Sequence, residues 1–285
     1  MPADSSCPGP ALKGSLPPAK AMNKSLAINA LLAFSLLPAG AAVINPQAQS
    51  RSLDGQIRLA DPSVPGGGWQ TEAHQEIRKD AAAWADQVPL SVTTALGTAG
   101  SGSMELDSPA TGPGLTGVMA SGFADGRYTA TTDGAFAEVS TLSSFVLAFQ
   151  VDEAVHYRLS GTVSSEQDDG RIYADAWSLV TLRRINLPGD GTTVVLETLV
   201  EKSANNATSV FDVTGTLLPG FTYDVVGLGS VGLRNDPVSL LTGEGAAAWN
   251  FSFEVMPVPE PATAAVVTGL ALAGFAGWRR IAARG

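Results

Sequence analysis

Trp249-Asn250-Phe251-Ser252-Phe253-Glu254-Val255, residues 249–255, sets a large apolar side chain at every second position and a polar one between. A period of two marks a strand with one buried face, because successive side chains point to opposite sides of a sheet. The same alternation recurs in Phe145, Leu147, Phe149 and Val151, and again in Val155, Tyr157, Leu159 and Val163. Further strands are read at 115–123, 127–131, 135–140, 172–184, 192–200, 208–217 and 221–231. Asp-Gly pairs at 125–126, 133–134, 169–170 and 190–191 fall between these runs, and both residues tolerate the positive φ of a tight turn. Many short strands joined this way predict a mainly β protein, an antiparallel, jelly-roll-like β-sandwich. One segment differs: Ile77, Ala81 and Trp84 follow a capping Thr71 at helical spacing, which predicts one short helix over 72–86. Residues 42–70, where Pro65 precedes three glycines, read as a flexible lead-in, so the sandwich is placed at 71–256.

Both ends of the chain read as processing signals. From Met22, a basic Lys24 precedes the apolar run Leu26 to Leu37, and Ala39-Gly40-Ala41 supplies the small residues a signal peptidase requires, with Ala39 and Ala41 at the cleavage positions. This predicts a signal peptide over 22–41 and a mature chain from about Ala42. Residues 1–21, rich in Pro, Ala and Ser, are then either an over-extended gene start or a disordered leader. The only cysteine, Cys7, precedes the mature chain, so no disulfide is expected there.

At the other end, residues 257–285 form a tail. Its segment 262–278 carries no charged side chain and would rise about 25 Å as a helix. That falls short of a hydrocarbon core of about 30 Å, but Trp278 suits the interface and Arg279 and Arg280 can reach headgroups. Arg279, Arg280 and Arg284 would hold that end in the cytoplasm, leaving the bulk of the protein outside. Pro259 and Pro261 end the folded domain and keep the stretch before the apolar run extended.

Pro259-Glu260-Pro261, a short apolar helix and a terminal arginine cluster, in that order and at that distance from the end, resemble the sorting signal of PEP-CTERM exported bacterial proteins. The resemblance covers fewer than about thirty residues, a length that suits one short membrane segment with its flanks. It implies that a membrane-embedded exosortase recognises and processes the tripeptide, with the inner membrane of a Gram-negative host as an intermediate station. It also implies delivery to the cell envelope, outer surface or extracellular matrix, in association with biofilm exopolysaccharide. A plain single-span anchor with a proline-rich stalk is the other reading of the same residues.

Little chemistry is written between these signals. The formal charge is −10, and residues 42–261 hold 26 Asp and Glu against 11 Lys and Arg, a surface that repels nucleic acid. His74 and His156 are the only histidines, too few for a zinc site without a carboxylate set. Gly227 to Gly232, GLGSVG, matches a dinucleotide fingerprint in letters, but no helix start follows, so its glycines are read as relief where another sheet packs close. Glu166, Asp168 and Asp169, ahead of Gly170, are a weak calcium set that reads equally as a solvated turn. Asn206 and Asn250 open N-glycosylation patterns, and Trp177 is an aromatic for either the core or a sugar face. The expectation is a non-catalytic protein with no cofactor; the alternative is a secreted carbohydrate-binding or glycoside-cleaving jelly roll.

Overall fold

The computed structural model describes residues 42–62, 68–131, 133–167, 173–189, 192–235 and 242–258, and in the tail 269–273, 275 and 279. The described chain is built almost wholly of strands: β1 Ile44–Ala60, β2 Gln70–Arg78, β3 Trp84–Thr93, β4 Ala99–Ser108, β5 Gly117–Thr129 and β6 Phe136–Val151. There follow β7 Val155–Gln167, β8 Tyr173–Asn186, β9 Val194–Asn205, β10 Ala207–Leu217, β11 Thr222–Arg234 and β12 Thr242–Pro257. They form two six-stranded antiparallel sheets, ordered β2-β1-β6-β11-β8-β9 and β10-β7-β12-β5-β4-β3. The sheets stack so that β2 lies over β3, β1 over β4, β6 over β5, β11 over β12, β8 over β7 and β9 over β10. The sandwich belongs to a compact unit, Gly40–Val258, distinct from the unit that contains the tail.

The 249–255 alternation lies where its pattern requires. Trp249, Phe251, Phe253 and Val255 are buried between the sheets, with Phe251 against Phe145 and Phe253 against Phe149. Trp249 is the largest fully buried side chain among the described residues, and both its own sheet, at Gly122, and the facing sheet, at Gly227 and Gly229, make room for it with glycine. A Cβ at Gly227 or Gly122 would approach the indole ring to under 3.0 Å, and one at Gly229 would crowd it. Gly227 and Gly229 therefore serve the close packing expected of this run, whereas a Cβ at Gly232 would meet nothing closer than 3.9 Å. Hydroxyls span the interlayer where the sheets come close: Ser143 donates to the Glu105 carbonyl at 2.7 Å, Thr141 to the Asp125 carbonyl at 2.8 Å and Ser178 to the Ser164 carbonyl at 3.0 Å. Each satisfies a polar group that burial would otherwise penalise.

Three expectations are corrected. Residues 42–70 are not a flexible lead-in: β1 pairs with β6 from Ile44 to Ala60 and buries Leu53, Ile57 and Leu59. No helix spans 72–86, because that stretch is β2, a corner and the start of β3. The helical spacing of Ile77 and Trp84 joined residues of two different strands, and β2 instead alternates half-buried Glu72, His74, Glu76 and Arg78 with exposed neighbours. Asp125-Gly126 is no turn but lies inside β5, where Gly126 is required because a Cβ would meet the Val139 side chain. The Asp133-Gly134 pair does turn, with Gly134 at φ 78°. The pairs at 169–170 and 190–191 lie outside the described residues.

In the tail, residues 269–273, 275 and 279 are helical and exposed. No helix among the described residues is long and apolar enough to cross a membrane. The signal-peptide residues Ala39 and Ala41, the tripeptide Pro259, Glu260 and Pro261, and Arg280 and Arg284 lie outside the described residues.

Candidate functional site

The register of β3, β4, β5 and β12 defines two rows on the outer face of their sheet. Gln87 stands opposite Glu105, Glu105 opposite Phe123 and Phe123 opposite Ala248. One step along, Ala85 faces Asp107, Asp107 faces Ser121 and Ser121 faces Asn250. Together these residues line an open groove of about 420 Å³. Small Ala85, Ser121 and Ala248 leave the hollow, while the partly buried Phe123 ring and the exposed Gln87, Glu105, Asp107 and Asn250 side chains form its walls. The Ser143 bond to the Glu105 carbonyl fastens β4 to the opposite sheet directly beneath. Neither Glu105 nor Asp107 enters a described ion pair, so both carboxylates are presented to solvent. One apolar ring face beside carboxylates and amides is suited to a neutral polyhydroxylated molecule, since the ring takes its C–H face and the polar groups its hydroxyls.

The other charged groups serve the scaffold. Arg51 is fully buried and tethers the β2–β3 corner, with Nη1 donating to the Ala82 carbonyl at 2.5 Å and to Ser108 Oγ at 3.1 Å, and Nη2 to Asp80 at 2.6 and 2.9 Å. Desolvation pulls its guanidinium below the ordinary arginine value, opposed by Asp80. Arg183 grips buried Asp224 in a bidentate pair at 2.9 and 2.5 Å, which holds the arginine value up. On the outer face of the groove-bearing sheet, Arg158 binds Asp212 at 2.8 and 2.7 Å, and that hydrogen bonding holds Asp212 below the usual carboxylate range.

The residues singled out in the sequence do not converge. His156 points outward from β7 toward Thr216 Oγ1 at 3.2 Å, and His74 lies on β2, 3.8 Å from Glu76. Glu166 is exposed on β7, while Asp168 and Asp169 lie outside the described residues. Among the described residues no group of three His, Cys, Asp or Glu is arranged to hold a metal. Trp177 is neither core nor groove: β8 presents it half-buried on the outer face of the other sheet. The groove itself escaped the sequence, because its rows are assembled from four strands far apart in the chain. The signal available was the polar, small-residue face of 246–254 and of 101–107.

No known family model and no curated protein matches this chain. Among solved structures, the chain is similar to "Structure of infectious bursal disease virus Gx strain" at 11% identity and TM-score 0.18, covering 80% of this chain and 69% of that one. It is also similar to "Structure of infectious bursal disease virus Gt strain" at 13% identity and TM-score 0.15, covering 75% and 67%.

Proposed function

We propose that this is a non-catalytic exported protein of a Gram-negative bacterium, sorted by an exosortase through its C-terminal tail to the envelope, outer surface or matrix, in association with exopolysaccharide. In this reading residues 22–41 are a signal peptide, 262–278 a transmembrane helix that serves as a sorting intermediate, and the sandwich a jelly-roll-like cargo without cofactor. The observation that carries it is the ordered tail: Pro259-Glu260-Pro261, an uncharged run, then Arg279, Arg280 and Arg284. It is supported by the place of the last strand, since β12 ends at Pro257, two residues before the tripeptide in sequence. The test is fractionation of the native protein beside a Pro259→Ala, Glu260→Ala, Pro261→Ala variant. The native form is expected at the outer surface and the variant in the inner membrane; equal retention of both in one membrane makes the tail a plain anchor and removes the sorting reading.

A second reading, secreted carbohydrate binding, has its own observation in the Phe123 groove. Phe123→Ala on the outer face is expected to leave the melting temperature nearly unchanged and to weaken retention on neutral polysaccharide in affinity electrophoresis by about tenfold, the scale of one lost stacking contact. Equal retention of variant and parent, or none by either, rejects it.

A further inference from the structure

Leu187-Pro188-Gly189 and Leu218-Pro219-Gly220 repeat one tripeptide, each with its glycine at positive φ, 78° at Gly189 and 82° at Gly220. The first follows β8 and the second precedes β11, and these strands are paired with Ile185 opposite Thr222, so both leucines come to the same end of the sandwich. Tyr223 pins the second turn: its hydroxyl donates to the Leu218 carbonyl at 3.1 Å and accepts from the Leu218 amide at 3.0 Å. Yet Leu187 is 38% and Leu218 49% exposed, beside Phe221 at 37% and the opening residues of β9, Val194 at 46% and Val195 at 44%. Apolar side chains held in water by a fastened backbone are unfavourable unless something apolar covers them.

The exit of the chain says what that is. At this same end Leu217 faces Val155 and Val155 faces Pro257, the last residue of β12. After Val258 only Pro259, Glu260 and Pro261 separate the sandwich from the uncharged run 262–278. We propose that this end of the sandwich rests on a lipid bilayer, with Leu187, Val194, Val195, Leu218 and Phe221 entering the interface between headgroups and chains. The proposal rests on the reading of 262–278 as a membrane segment. Aliphatic and aromatic side chains partition to that depth when a neighbouring anchor keeps them close. Exposed Asp152 and Glu153 in the β6–β7 loop at this end, with the acidic balance of the exported chain, select zwitterionic over anionic headgroups. Edge pairing with a second copy is opposed by the two register shifts where β9 meets β8, which irregularise that edge.

The test uses the exported chain from Ala42 to Gly285 with phosphatidylcholine vesicles, carrying a polarity-sensitive fluorophore on Leu218→Cys or, at the opposite end, on Ala95→Cys. The chain should float with the vesicles, with the Leu218 probe blue-shifted and its quenching by aqueous iodide reduced about threefold while the Ala95 probe is unaffected. A chain that floats with both probes equally quenched overturns the proposal and leaves the membrane segment standing. A chain that does not float overturns both.

Discussion

Trp249 shows how one residue fixes a neighbourhood. Its ring fills the space left by Gly122 and Gly227, its Nε1 donates to the Ser143 carbonyl at 3.3 Å, and Ser143 in turn bonds the strand beneath the groove. Gly227→Ala is expected to cost about 1–3 kcal/mol by overpacking. Trp249→Ala should cost about 3–5 kcal/mol. In a double-mutant cycle by urea denaturation the pair should cost clearly less than the sum, because the added methyl then occupies the vacated volume. Asp212 offers a pH readout. Its folded value lies below the ordinary carboxylate value, so the ionised form is favoured by folding, and the contribution is present at neutral pH and lost as pH falls through the folded value. The pair is exposed, so the effect is small. The melting temperature of Asp212→Asn should lie slightly below that of the parent at pH 7 and converge on it in acid; a gap that widens in acid contradicts this sign.

The elements were legible to the degree that their buried faces are apolar. β12 and β7 alternate large hydrophobics with polar residues and were read as strands, and β6 was read as two runs, 135–140 and 145–151, that the structure joins into one; β1 instead buries Arg51 and Gly55 among its apolar positions and β2 turns Glu72, His74, Glu76 and Arg78 inward. The reason lies at the rim, where β2 and β3 are the edge strands of their sheets. Inward charges spoil an edge as a template for another chain, and Glu72 goes further by accepting the Ser91 amide of β3 at 2.9 Å, while Pro89 removes a donor. Glu72→Val should therefore raise association at high concentration with little loss of thermal stability, as read by sedimentation velocity; an unchanged monomer fraction would count against edge protection. The groove was illegible for a different reason: its walls come from β3, β4, β5 and β12, and only register places Gln87, Glu105, Phe123 and Asn250 together.

At the scale of the whole molecule, the sandwich lies in one compact unit whose first strand begins near the expected signal cleavage and whose last strand ends two residues before the tripeptide. The sandwich thus lies in sequence between the two segments proposed as transport signals, and its core already buries Ile44 and Val255 near either end. The most direct measurement is the intact mass of the protein recovered from the outer surface of its native host. The proposed sorting predicts a chain that starts near Ala42 and has lost the residues after Pro261. A surface-recovered chain that still carries residues 262–285 would contradict it.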